Sequence, residues 1–188
     1  MGSTRLPGKV MMDYYGVPLI SRVLHSVDRS TVDSIVLATT DLPSDDVLED
    51  HCGTLILLHP LSVFRGSESD VLDRYYQSAK ASGADIIVRV TGDCPFVSSD
   101  IINMCVKTLK NSGSSCVYFD GVDGLDVEVF TFDILEFAWK HATSEYDREH
   151  VCPFIKEKGH DVHRLSDYKL SVDTVLDYEY CCSLFTRY

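Results

Sequence analysis

Eight residues near the start of the chain, Gly2-Ser3-Thr4-Arg5-Leu6-Pro7-Gly8-Lys9, have the types that hold a phosphate chain. Small residues let backbone N–H groups come close to phosphate oxygens. Arg5 offers a flat fork for bidentate pairing, and Lys9 a compact point charge. The spacing is not that of a Walker A loop, which sets Lys and Ser or Thr directly after Gly. A basic, unstructured tail is the plainer reading of the same residues.

Two acidic motifs could meet such a loop. Thr91-Gly92-Asp93-Cys94-Pro95 follows the apolar run 84–90, so Asp93 stands where a buried strand ends. Open α/β sheets bind ligands in the crevice beyond their strand ends. The competing role for Asp93 is an Asx-turn leading into the next helix, although Ser98 or Ser99 is better placed to cap a helix at Ile101. Ser171-Val172-Asp173-Thr174 repeats the pattern, with Asp173 either a ligand or a helix N-cap. Two hard carboxylates on separate strand ends, completed by phosphate oxygens, suit Mg²⁺. Glu149-His150, inside 146–153, reads as a substrate or partner contact, or simply as the start of a surface helix. No Ser–His or Cys–His pairing for nucleophilic catalysis is visible.

The elements that must position these residues alternate between strand and helix. Apolar runs predict strands at Ser34–Thr39, Ala84–Val90 and Ser115–Phe119, and alternation predicts another at Leu125–Phe130. Helical spacing predicts helices at Pro18–Val27, Val71–Ala81, Ile101–Leu109, Asp133–His141 and Arg148–Lys158. A short strand pair at Val162–Leu165 and Lys169–Val172 then precedes a last helix from Val175. This order implies one α/β domain over residues 1–188, three-layered, with a mostly parallel sheet.

Composition narrows the partners. The 188 residues are 45% hydrophobic and 24% charged, which suits a folded core. A net charge of −12 argues against nucleic acid or an anionic membrane as partner, since both need a basic footprint. No apolar run approaches the roughly 18 residues of a membrane span, and no signal region follows Met1. The cysteines at 52, 94, 105, 116, 152, 181 and 182 have neither zinc-site nor disulfide spacing, which fits a cytoplasmic setting.

Taken in order, the loop 2–9, Phe64-Arg65-Gly66-Ser67, 70–76, 89–95, Gly124–Phe130, Arg148–Val151 and Val172–Thr174 resemble a known family. It is the spore-coat polysaccharide biosynthesis protein F group of cytidylyltransferase-like proteins, similar to the enzymes that activate 3-deoxy-manno-octulosonate and acylneuraminates as CMP-sugars. The likeness spans essentially the whole chain. It implies a Rossmann-like nucleotide-diphospho-sugar transferase fold and transfer of CMP from CTP to a sugar acid, releasing pyrophosphate. By position, it implies that Gly2, Ser3 and Thr4 cradle the triphosphate while Arg5 and Lys9 neutralise it. Asp93 and Asp173 match Mg²⁺ ligands, and Arg89 the nucleotide side. Asp126, Glu128, Glu149 and His150 match the part facing the sugar or a homodimer partner. Family members carry a short hydrophobic strand just before the position of Met1. The resemblance therefore implies a chain without that first strand, with unpartnered strand edges beside the gap, and ending within the last helix. The other readings are a non-catalytic domain of this fold and a transferase using another nucleotide.

Overall fold

A computed structural model describes the chain except residues 4, 120–123, 157–159, 162–171, 173, 177 and 180–188. Helices α1 (Leu19–Asp28), α2 (Asp46–Cys52), α3 (Val71–Ser82) and α4 (Ser99–Ser112) alternate with strands β1 (Ile35–Thr40), β2 (Leu61–Gly66) and β3 (Ile86–Arg89). After α4 come β4 (Cys116–Phe119), β5 (Val127–Thr131), α5 (Phe132–His141), α6 (Glu145–His150), α7 (Pro153–Lys156) and β6 (His160–Asp161).

The helices begin and end on local chemistry. The Asp70 carboxylate accepts the N–H of Asp73 at 2.9 Å, opening α3. Gly83 closes it at φ 67°, a left-handed conformation that disfavours any residue with a Cβ. Leu72, Tyr76 and Ala79 form its buried stripe. Ser98 caps α4, whose Ile102, Cys105, Val106 and Leu109 repeat at three- and four-residue steps. Each fully buried leucine, such as Leu72 or Leu135, contributes about 1.5–3 kcal/mol relative to exposure.

Strand alternation divides the core into two layers. Val117, Phe119, Val127 and Val129 pack with α1 and α4 residues such as Leu19, Val23, Ile102 and Leu109. Ile87, Cys116 and Phe130 point the other way, onto Leu72, Tyr76, Leu135 and Ile155. Helices therefore cover both faces, as a three-layer α/β domain requires. Among the described residues, β1–β2 and β4–β6 pair in parallel, whereas β5 lies antiparallel between β3 and β4. The sheet is thus mixed.

Two differences from the sequence reading have physical causes. The helix predicted over Arg148–Lys158 is broken into α6 and α7. Pro153 cannot donate to a continuing helix and pushes the residue before it away from helical angles. The break is a tight γ-type turn at Val151, with φ 68° and ψ −54°, closed by the Cys152 N–H on the His150 carbonyl at 2.8 Å. The second difference is β2, which, like α2, was not foreseen. The strand pair predicted at Val162–Leu165 and Lys169–Val172 lies outside the described residues apart from Val172.

The strands fall into two groups, β1-β2 and β3-β5-β4-β6. Between β1 and β3 lies a slot of about 660 Å³, lined by Ile35–Ala38 on one side and Ile86–Gly92 on the other. Among the described residues, β1 and β3 each have one ladder neighbour, and their other edges border this slot.

Candidate functional site

The N-terminal loop is folded. Ser3 Oγ accepts the Leu6 N–H at 3.2 Å, and the Gly8 N–H reaches the Met1 carbonyl at 3.3 Å. Gly8, at φ 71°, reverses the chain into a single 3-10 turn over Lys9–Met11. Leu6 is buried and anchors the loop in the core. A Cβ at Gly2 would lie 2.8 Å from Glu68 Oε1, so the Glu68 side chain would have to move to admit one. The unstructured-tail reading is therefore set aside by Ser3, Leu6 and Gly8.

This loop meets the first acidic motif. Lys9 Nζ lies 2.5 Å from Asp93 Oδ2, across 84 residues of sequence. The turn that carries Asp93 leaves β3 and is closed by the Cys94 N–H on the Thr91 carbonyl at 3.3 Å. A Cβ at Gly92 would stand 3.1 Å from Ile20 and 3.6 Å from Val10, so glycine allows the turn to seat against α1 and the loop. The Ser98 hydroxyl accepts the Asp100 N–H at 3.2 Å and caps α4. Asp93 is thereby free of capping duty, and its carboxylate turns toward the loop.

The second acidic motif arrives at the same place. The Val172 N–H donates to the Asp93 carbonyl at 3.0 Å. Asp173 itself lies outside the described residues, as does Thr4 of the loop. Among the described residues no group of three or more His, Cys, Asp or Glu side chains could hold a metal alone. A single carboxylate with phosphate oxygens and waters is nevertheless an ordinary Mg²⁺ environment. Asp93 fits that role by its hard oxygens and its place at a strand end.

The remaining residues singled out from the sequence are distributed differently. Arg5 is solvent-exposed on the loop. Arg89 is turned to Glu128, which also takes Lys156 Nζ at 2.8 Å. Arg89 also lies over the Tyr75 ring, 5.6 Å from its centroid. Burial opposes the charge on Glu128, but Arg89 and Lys156 outweigh it and hold the carboxyl below its ordinary range. Burial likewise opposes the Arg89 charge, yet Tyr75 and Glu128 raise its pKa. Arg89 and Glu128 are therefore partners of each other in a buried ion cluster. Burial also pushes the Cys152 thiol well up, with the Glu128 charge adding to it.

Asp126 Oδ2 accepts the Gly124 N–H at 3.1 Å, shaping the approach to β5. Glu149 and His150 are exposed at the end of α6, where the His150 ring sits 4.5 Å from that of Tyr146. Their helix is held to α3 by Arg148, which grips Asp70 through Nε at 3.0 Å to both oxygens and reaches the Trp139 carbonyl at 2.9 Å. Sequence reading missed that clamp, because its partners are 78 residues apart and neither carries a local pattern. It also missed Asp45, whose burial is outweighed by the Met1 ammonium and the Thr39 and Thr40 hydroxyls, lowering its pKa.

The chain is similar to known proteins over its whole length. The chain is 32% identical over 204 residues to spore coat polysaccharide biosynthesis protein SpsF of Bacillus subtilis, covering all of this chain and 83% of that one. A 3-deoxy-manno-octulosonate cytidylyltransferase of Francisella tularensis is 30% identical over 118 residues, 61% of this chain and 45% of that one. The solved structure of a cytidylyltransferase from Leptospira borgpetersenii superposes with a TM-score of 0.91 at 33% identity, over all of this chain and 84% of that one. The family model described as cytidylyltransferase matches residues 1–187, a span that takes in the loop, Asp93 and the segment that meets it, and so the chain belongs to the cytidylyltransferase family.

Proposed function

We propose that the chain transfers CMP from CTP to a sugar acid, with pyrophosphate as the leaving group and Asp93 as a residue that would hold Mg²⁺. The observation that carries this reading is the Lys9–Asp93 contact, which joins a small-residue loop to a carboxylate at the end of β3. The family and its relatives in polysaccharide and 3-deoxy-manno-octulosonate chemistry support the choice of CTP and of a sugar acid.

Attack of a sugar oxygen on the α-phosphorus needs little covalent help from a protein. Alignment of the reactants and neutralisation of charge on the phosphoryl oxygens carry most of the barrier lowering. Gly2, Ser3 and Thr4 are assigned to the triphosphate, which backbone N–H groups of small residues can approach closely. Lys9 is already held by Asp93, so little side-chain entropy is lost when phosphate arrives. Arg5, exposed beside it, closes on the leaving pyrophosphate. When bound, Mg²⁺ supplies Lewis-acid polarisation of the phosphoryl oxygens and lowers the pKa of the attacking hydroxyl. Asp93 and Asp173 are the residues assigned to hold it. Asp126, Glu149 and His150 are assigned to the sugar side or to a homodimer contact. Arg89 and Glu128 act as a pair, Glu128 fixing the guanidinium beside the nucleotide side of β3.

Pyrophosphate release measured with four nucleoside triphosphates, with and without Mg²⁺, against a panel of sugar acids tests the reading. CTP is expected to be preferred, and turnover to depend on Mg²⁺. Asp93→Asn and Lys9→Met are each expected to lower kcat by about 10²-fold or more while leaving the circular dichroism unchanged. Wild-type turnover by Asp93→Asn would remove the metal assignment. Absence of turnover with any triphosphate would favour a non-catalytic domain.

A further inference from the structure

Arg148 joins three elements that the sequence keeps far apart. Its Nε lies 3.0 Å from both oxygens of Asp70, and its Nη1 donates to the Trp139 carbonyl at 2.9 Å. One guanidinium thus fastens α6 both to α5 and to the start of α3. Both members of the ion pair are partly buried, and a forked contact of this kind has direction as well as strength.

Asp70 stands where α3 meets the turn ahead of it. Its Oδ1 caps α3 by accepting the Asp73 N–H at 2.9 Å. Its own N–H donates to Ser67 Oγ at 3.0 Å, which closes turn 67–70, and the Ser67 carbonyl accepts Arg74 Nη1 at 2.6 Å. The turn leaves the end of β2 at Gly66, on the edge where parallel strands present ligands. It also stands against the phosphate loop, because Glu68 Oε1 faces Gly2, 2.8 Å from where a Cβ would be. A path therefore runs from Arg148 through Asp70 and Glu68 to the loop, and it includes neither Lys9 nor Asp93.

The other end of α6 shows that Arg148 is aimed. Val151 follows the helix at φ 68° and ψ −54° and is fully buried. Positive φ is a rare conformation for a β-branched residue, and it persists only where the surroundings over-determine it. Here the Val151 N–H is held by the Asp147 carbonyl at 3.0 Å, and beyond the turn Lys156 Nζ is held by Glu128 at 2.8 Å. The turn directs Arg148 to α3 and Lys156 to β5.

We propose that Arg148 is a positioning residue for the nucleotide: through Asp70 it sets turn 67–70, and Glu68 with it, against loop 2–9. The inference rests on the assignment of that loop to the triphosphate. Loss of Arg148 leaves the cap of α3 in place, because the Asp73 N–H needs only Asp70. What is lost is the direction of the turn.

Arg148→Gln, Arg148→Lys and Trp139→Phe test this in the 188-residue chain. Trp139→Phe removes a different tie of α3, the Nε1 donation to Asp73 Oδ1 at 2.7 Å, and keeps the carbonyl that Arg148 uses. Without nucleotide, amide exchange at Asp70 is expected to quicken about 10-fold or more in Arg148→Gln, while Asp73 keeps its protection. CTP binding in equilibrium dialysis is expected to weaken about 10-fold in Arg148→Gln, and less in Arg148→Lys, which keeps the charge without the fork. Trp139→Phe is expected to lower the melting temperature and leave CTP affinity unchanged. Equal loss of affinity in Trp139→Phe and Arg148→Gln makes Arg148 a structural bridge only and overturns the proposal, as does unchanged exchange at Asp70. A wild-type chain that binds no CTP overturns the nucleotide reading and the proposal with it, and the exchange at Asp70 tells that outcome from failure of the Arg148 contact alone.

Discussion

Replacing Glu128 with Gln separates a structural role for the buried ion cluster from a merely decorative one. The Glu128 side chain is 7% exposed and balances two cations, Arg89 and Lys156. Gln keeps the shape but leaves the Arg89 charge buried without its counter-charge. Breaking a buried pair from one side costs about 3–5 kcal/mol, far more than a surface bridge. Lys156, one-third exposed, can swing to water, so the loss falls mainly on Arg89. Arg89→Met in the Glu128→Gln background removes the stranded charge, and the double variant is expected to recover at least about 1.5 kcal/mol of the sum of the single losses. Urea unfolding at pH 7 reads all four proteins of the cycle. The pH dependence has a definite sign. The folded-state pKa of Glu128 is lowered, so its stabilisation is fully present above the unfolded value near 4.5 and is lost as pH falls through the lower folded value. The gap between wild type and Glu128→Gln should therefore shrink below pH 4.5. A single-variant loss under about 1 kcal/mol, or strict additivity in the cycle, would refute the reasoning.

Two further substitutions probe the elements that carry the site. Gly83→Ala meets no atom within 4 Å but inherits φ 67°, so it is expected to cost about 1–2 kcal/mol in thermal or urea unfolding, and Gly83→Asn less. Ser98→Ala removes the cap of α4 and is expected to cost about 1 kcal/mol, with CTP turnover retained because Asp93 does not share the capping role. A larger loss of turnover than of stability in Ser98→Ala would show that the turn before α4 is set by the cap.

How much of this was legible beforehand depended on the range of the interactions. β1, α3, β3, α4 and α5 announced themselves by periodicity and punctuation, because residues such as Gly83 and Ser98 act on their own neighbours. β2 did not. Its sequence Leu61-Ser62-Val63-Phe64-Arg65-Gly66 mixes polar and apolar residues, and its strand character comes from pairing with β1. β5 looked half-exposed, with Asp126 and Glu128 alternating against valines, yet Val127 to Phe130 are all buried. The alternation was real, and Glu128 faces a buried cation pair, whereas the resemblance set it toward the sugar or a homodimer partner. Charge type in a sequence does not say whether solvent or a partner balances it.

The same limit explains what was legible in the site. The loop and Asp93 were recognisable singly because each motif is local, and their meeting followed from the rule that strand ends converge on one edge of an α/β sheet. That rule specifies an edge and leaves the contact to tertiary packing. Glycine at 92 helps the contact form: without a Cβ, the turn seats against Ile20 and Val10, with Asp93 within reach of Lys9. A Cβ there would stand 3.1 Å from the end of the Ile20 side chain, which must give by a few tenths of an ångström, and 3.6 Å from Val10, an ordinary contact. Packing beneath the turn, as much as charge, thus decides where the acid stands.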